Sequence, residues 1–442
     1  MSLIAKNEIL LFTKLMKKTF LLLFALAAFC AGASAQKKYV GGDISLLPTY
    51  EEHGVRYLGH GGKDAQVKPL DYFGDSAHWN AMRVRLFVDP SKASESDKGE
   101  GVRQDLSYAT ALAKRITAKG YSLMLDFHYS DTWTDPGKHS TPSAWTSSDA
   151  NVLADSVYAY TKKCLQKLVT EDAKPEFIQV GNEVNYGMLW PTGYCYPGGG
   201  DGNNSKIGKG TWNNFAAYLK AGVRACREVC PEAKVVLHVA LHNAPNDVVA
   251  FYNTVQKHDV DYDIIGLSYY PDYHGTLSVL TTTLDSLESA YPDKKIMIVE
   301  TGYGAQWAMN GDYTSTVSKT WPVTEAGQKQ FTDDLITELN KHSSVTGLYW
   351  WLPEDNEFWA DKKPARTSWW NGSLYTQNTG KPLDAMFELQ RFIGLDPTGV
   401  TVVSNDVRTK TDDKWYNLQG QRVSRHDVKG IYINNGRKVI VK

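Results

Sequence analysis

The sequence has almost no net charge: 48 Lys and Arg against 49 Asp and Glu leave a formal −1 at pH 7. No global field exists to gather a polyanion, so nucleic acid and acidic membrane surfaces are poor partners and a neutral one is favoured. Cysteine is scarce, five in 442 residues. None of Cys164, Cys195, Cys226 and Cys230 has a zinc-ligand spacing. Cys226 and Cys230, four apart on an expected helix, suit packing better than a strain-free bridge, so all four read as buried small hydrophobes. Beyond the first 35 residues no apolar run is long enough to span a bilayer. Nor does a glycine-rich phosphate cradle follow the last strands of the pattern, which ranks phosphate chemistry last. What remains is ordinary globular material, 42% hydrophobic and 22% charged, enough for one large domain and a small accessory piece.

Residues 1–35 read as an export signal: Lys17 and Lys18, an apolar run over 20–29, then Ala33-Ser34-Ala35. The mature chain is expected to begin near Gln36 and to work in the periplasm, at the cell surface or outside. Cys30 as a lipid-attachment site is disfavoured by the bulky Phe29 before it.

Short apolar, β-branched stretches then alternate with amphipathic ones. Strands are expected over 39–46, 81–88, 121–128, 177–184, 234–240, 262–270, 294–301 and 347–352. The clearest helices between them are 106–118, 152–169, 213–229, 277–290 and 328–341. Eight strand–helix units imply a closed (β/α)8 barrel over 36–395, an α/β fold whose functional residues must lie at the C-terminal ends of the strands. Residues 396–442 form a connector and a β-rich tail with a hairpin turn at Asn434-Asn435-Gly436. This tail serves either in sorting and attachment or simply in packing.

Polar residues gather where the barrel demands. The third strand ends in Asp126-Phe127-His128, followed by Trp133; the fourth ends in Asn182-Glu183, the seventh in Glu300, the eighth in Trp350-Trp351. Two carboxylates on strands four and seven face each other across the mouth. That is what glycosidic hydrolysis needs, one group to protonate the leaving oxygen and one to act at the anomeric carbon. Asn182 is expected to donate to a sugar 2-hydroxyl. One of Arg83 and Arg85, on the same side of strand two, is expected to hold a catalytic carboxylate ionised, and Tyr270 is favoured over Tyr269 as its second partner. His128, His238 and His242 share no metal-ligand spacing and are assigned to sugar or core hydrogen bonds; no metal is expected. Trp133, Trp145, Trp190, Trp307, Trp350, Trp351, Trp359, Trp369 and Trp370 all fall at strand ends or in the loops that follow, a row suited to stacking on successive sugars of a polymer.

Gly41-Gly42-Asp43-Ile44-Ser45, Arg83-Val84-Arg85-Leu86, the run from Asp126 to Pro136, Gln179 to Pro191, Gly266 to Pro271 and Glu300-Thr301-Gly302-Tyr303 resemble the motifs of the endo-β-1,4-galactanases of glycoside hydrolase family 53. The resemblance implies a retaining enzyme acting on β-1,4-galactan, type I arabinogalactan or galactooligosaccharides, as a monomer without cofactor. It makes Glu183 the acid/base and Glu300 the nucleophile, roles the residues alone leave unassigned. Some relatives bind calcium after strand seven, but 305–312 lacks the alternating ligand run; Glu354-Asp355-Asn356-Glu357 after strand eight is acidic and read by default as solvated, with a calcium site as the alternative. The competing readings are an endo-hydrolase of mannan or xylan, and a glycan-binding protein on an inactive barrel.

Overall fold

A computed structural model describes residues 36–60, 66–241, 245–357, 371–396, 415–417, 422–423, 430–434 and 437–441. The chain divides into a short unit, Met1–Lys38, and a second, Tyr39–Lys442, to which every element below belongs. The expected export signal and its cleavage point lie outside the described residues.

Eight parallel strands close into a barrel: β1 (Tyr39–Asp43), β2 (Ala81–Leu86), β3 (Ser122–Phe127), β4 (Phe177–Val180), β5 (Lys234–Ala240), β6 (Ile264–Tyr269), β7 (Lys295–Thr301) and β8 (Val345–Trp351). Neighbours in sequence are neighbours in the ring, and β1 completes it by pairing with both β8 and β2. Alternation along each strand sorts residues to two sides. Outward, Val84, Leu125, Ile178, Leu237, Leu267 and Leu348 join the large core under the helices. Inward, Ala81, Met124, Phe177, Val236, Ile264, Met297, Val299 and Tyr349 make an apolar floor. Gly41 is dictated by closure: a Cβ there would fall 1.7 Å from the Ala81 carbonyl oxygen, so only glycine lets β1 approach β2 this closely.

The helices follow from their caps and apolar faces. In α1 (Leu106–Ala118) the Asp105 side chain accepts from the Tyr108 amide, and Ala109, Leu112, Ala113 and Ile116 face the barrel. The others at the same level are α2 (Ala150–Thr170), α3 (Trp212–Val229), α4 (Pro245–Lys257), α5 (Leu277–Ala290) and α6 (Glu325–Leu339). None of the helices among the described residues is long and apolar enough to cross a membrane. Cys164, Cys195, Cys226 and Cys230 are buried and unpaired. Near the C-terminus β9 (Trp415–Tyr416), β10 (Arg422–Val423), β11 (Gly430–Asn434) and β12 (Arg437–Val441) form an antiparallel sheet in the order β10-β9-β11-β12.

Strand four is shorter than its sequence suggests. It stops at Val180 because Gly181 takes φ +88° and Glu183 φ +47°, left-handed values that leave the ladder and turn the chain into the mouth.

Candidate active site

Above the apolar floor the inward positions become polar, and Arg83 of β2 organises them. It is wholly buried. Its Nη1 donates to Asp43 Oδ2 at 2.8 Å. Its Nη2 faces Asp126 Oδ2 at 2.7 Å, Glu300 Oε1 at 2.9 Å and Asn182 Oδ1 at 2.9 Å. Its Nε reaches Gln179 Oε1 at 3.3 Å. Burial works against the guanidinium, but the charges of Asp126, Glu300 and Asp43 outweigh it and hold Arg83 protonated beyond the ordinary arginine range. Burial likewise opposes the Asp126 carboxylate, yet Arg83 and then His128 keep it below its usual range.

Glu300 reaches the mouth through a break in the two-residue rhythm of β7. Leu267 pairs with Ile298, but the next residue, Ser268, pairs with Glu300. Val299 is the extra residue of a bulge, and the bulge turns inward a side chain that strict alternation would aim at the helices. There its Oε1 meets Arg83 and its Oε2 accepts from the Tyr270 hydroxyl at 2.9 Å. Burial raises its pKa; Arg83 and the Tyr270 hydrogen bond oppose the rise.

Glu183 stands in the left-handed backbone region, a conformation that costs about 1–3 kcal/mol in a residue with a side chain. Two contacts hold it. The Glu183 amide donates to His238 Nδ1 at 3.3 Å, and its carbonyl accepts from His139 Nε2 at 3.2 Å. Burial pulls the His139 imidazole down to about 3, so its ring is neutral and Nε2 carries the proton. The Glu183 carboxyl has a pKa well above the usual range, through burial first and then the charge of Glu300.

Asn182 gives one amide hydrogen to Thr134 O at 2.7 Å, leaving its second for a ligand. Trp133 and Trp351 stand 6.1 Å apart at 68°, with the Arg85 guanidinium 4.5 Å from the first ring and 5.6 Å from the second. Arg85 meets Asp43 at 3.2 Å rather than a glutamate, so of the two arginines Arg83 is the one on Glu300. Trp190 is fixed by its indole N–H on Tyr186 O and lies edge-on to Tyr194. All three tryptophans keep a partly exposed face.

Several expected contacts are corrected. Trp350 is fully buried on the outer side of β8 against Phe331, its indole N–H on Gly372 O, because the alternation that turns Trp351 inward turns its neighbour outward. Asp126 and His238 lie beneath the surface of the mouth, engaged with protein groups and wholly inaccessible to a sugar. His128 is similarly covered, its Nδ1 on Thr134 and its Nε2 3.1 Å from Asp126. Trp145 packs on the core. His242, Trp359, Trp369 and Trp370 lie outside the described residues, whereas Trp307 is 46% exposed. The acidic loop after β8 is not solvated: Glu354 accepts from the Leu46 amide, Asp355 from the Tyr50 hydroxyl, and Asn356 donates to Arg56 O.

Three positions stood within the quoted motifs but were given no role of their own: Asp43, Gln179 and Ser268. Each is a polar residue at an inward position of a strand whose other inward residues are apolar or small, and that phase was the available signal.

The family model described as Glycosyl hydrolase family 53 matches residues 39–388. The chain is 30% identical to the probable arabinogalactan endo-β-1,4-galactanase A of Aspergillus tubingensis, over 80% of this chain and 95% of that one. It is 29% identical to the arabinogalactan endo-β-1,4-galactanase A of Aspergillus niger, with the same coverage. Among solved structures it resembles the family 53 catalytic domain of Ignisphaera aggregans, with TM-score 0.69 and 28% identity over 82% of this chain and 98% of that one. A fungal β-1,4-galactanase structure gives TM-score 0.65 at 27% identity, covering 80% and 99%.

Proposed function

The chain belongs to glycosyl hydrolase family 53, and from that premise we propose that it hydrolyses internal β-1,4-galactosidic bonds of galactan and type I arabinogalactan by retaining double displacement. The observation that carries the assignment of roles is the contrast between two buried carboxyls. Glu300 has a cation on one oxygen and a hydroxyl on the other, whereas Glu183 has the charge of Glu300 as its largest electrostatic neighbour. Glu300 therefore ionises first, and its charge keeps the proton on Glu183.

In the first step Glu183 gives its proton to the glycosidic oxygen while a Glu300 oxygen bonds to the anomeric carbon. The carbon–oxygen bond breaks, the aglycone-side sugar leaves as an alcohol, and a galactosyl ester remains. Esterification removes the charge on Glu300, so Glu183 is now stable as an anion and serves as base. It takes a proton from water as that water attacks the anomeric carbon, releasing Glu300 and restoring both groups. The free amide hydrogen of Asn182 binds the 2-hydroxyl, and Trp133, Trp190 and Trp351 offer faces to neighbouring sugars. An export signal in residues 1–35 fits an enzyme whose polymeric substrate lies outside the cell.

The test is digestion of β-1,4-galactan, mannan and xylan by the wild type and Glu300→Ala, following reducing ends and product sizes. Galactan cleavage to a spread of oligomers, lost in the variant, is expected. Cleavage of mannan or xylan alone would transfer the mechanism to another glycan, and binding without turnover would favour an inactive barrel.

A further inference from the structure

Arg85 of β2 is 1% exposed, yet none of its three side-chain nitrogens makes a hydrogen bond among the described residues. Its charge faces Asp43 Oδ1 at 3.2 Å. The guanidinium otherwise lies against indoles, 4.5 Å from the ring centroid of Trp133 and 5.6 Å from that of Trp351. Burying a cation without hydrogen bonds is costly, and the negative faces of the rings offset part of that cost, most strongly where water is absent. The attraction works in both directions, so rings that hold the cation are held by it.

Trp133 is the ring that needs holding. Its indole N–H is buried and has no acceptor among the described residues, whereas that of Trp190 is pinned to Tyr186 O at 2.9 Å. Phe87 and His128 meet the Trp133 ring at 79° and 76°, steep contacts that do not fix its plane. Arg85 lies over that plane and is itself tethered to Asp43.

We propose that Arg85 is a positioning residue for glycan binding: lying against Trp133 and Trp351, it fixes the angle at which the Trp133 indole meets a sugar, and it touches no sugar itself. The inference rests on Trp133 being a sugar platform. Arg85 stays apart from the chemistry because Asp43, its link to Arg83, is also held by the Ser45 amide at 3.1 Å and the Ser45 hydroxyl at 2.6 Å. The contact of Arg83 with Glu300 therefore outlasts the loss of Arg85.

The experiment is kcat and KM for the wild type, Arg85→Met, Trp133→Ala and the double variant, on whichever β-glycan the wild type cuts, so that the choice of galactan fails or stands separately. Arg85→Met should raise KM at least about fivefold and leave kcat within about twofold, the signature of lost binding rather than lost chemistry. Trp133→Ala should raise KM by a similar factor, and the double variant by clearly less than the product of the two, because one residue acts through the other. Arg85→Lys keeps a charge beside Asp43 but not the planar group on the ring; its KM should stay at least about threefold above wild type, and it serves if the methionine variant does not fold. A fall in kcat with KM unchanged would place Arg85 in the chemistry, through Asp43, and overturn the proposal. Multiplying single effects, or a lysine variant with the wild-type KM, would overturn it as well. A KM raised by Trp133→Ala but not by Arg85→Met sinks the role of Arg85 alone, whereas an unmoved KM in Trp133→Ala sinks the platform reading beneath it.

Discussion

Glu183 and Glu300 share one buried mouth, and what separates them is the identity of their neighbours. Arg83 and Tyr270 lie on Glu300, whereas the largest charge acting on Glu183 is that of Glu300 itself. A plot of kcat/KM against pH should be bell-shaped, its acid limb set by Glu300 and its alkaline limb by Glu183. Tyr270→Phe removes a hydrogen bond that favours ionised Glu300, so the acid limb should move to higher pH. A profile whose acid limb stays put would separate Tyr270 from the nucleophile. Arg83→Met should cost more than catalysis. It leaves Asp43, Asp126 and Glu300 crowded without their cation, and thermal or denaturant unfolding should show a loss of about 3–5 kcal/mol together with turnover reduced at least about a hundredfold. At this scale the sequence exposed both glutamates and narrowed their supports to Arg83 or Arg85 and to Tyr269 or Tyr270. Tyr270 was already favoured over Tyr269, but the choice between the arginines needed coordinates, because Arg83 and Arg85 share a face of β2 and differ only in height. Gln179 and Ser268 stood inside the quoted motifs yet received no role, because each, alone, looks like an ordinary polar residue in a strand.

Among the elements, the strands and helices were legible because their patterns are clean. α1, α5 and β5 match their expected bounds, and the widest discrepancy, at the end of β4, sits where a strand gives way to the site. Tryptophan counting misled at β8, where Trp350 and Trp351 point to opposite sides of one strand and a composition argument gave both to the mouth. The acidic loop after β8 misled for a different reason: four polar residues in a row look solvated, yet this loop folds back onto the segment that follows β1. Burial, followed by the charge of Asp43, raises Glu354 to about 8. In the unfolded chain it ionises near the ordinary glutamate value, so the native state loses stability as pH rises from there through about 8. Glu354→Gln keeps the acceptor for the Leu46 amide and removes that loss. It should stabilise the protein at pH 8 by at least about 1 kcal/mol relative to its effect at pH 4, as urea unfolding at the two pH values would show. Gly41→Ala should do the reverse at every pH, since its methyl group would strike the Ala81 carbonyl and spring β1 from β2; a folded variant with unchanged melting temperature would contradict the closure argument.

For the molecule as a whole, near-zero net charge and an uncharged substrate leave nothing for salt to screen at long range, while the charges of the site are buried. The value of kcat/KM on galactan should change less than about twofold between 0.05 and 0.5 M NaCl, and a steep decline would reveal a charged partner or substrate. The closed barrel was readable from eight alternations, since few other arrangements bury so many short parallel strands. What no periodicity announces is a doubled step. By pairing with Ser268, Glu300 stands one residue, about 3.3 Å, nearer the apolar floor than an unbroken strand would put it. Unbroken, the same strand would carry the carboxylate up beside Tyr269 and turn it towards the helices. The chemistry of this barrel thus depends on a miscount between two neighbouring strands, a property that belongs to no side chain in the site.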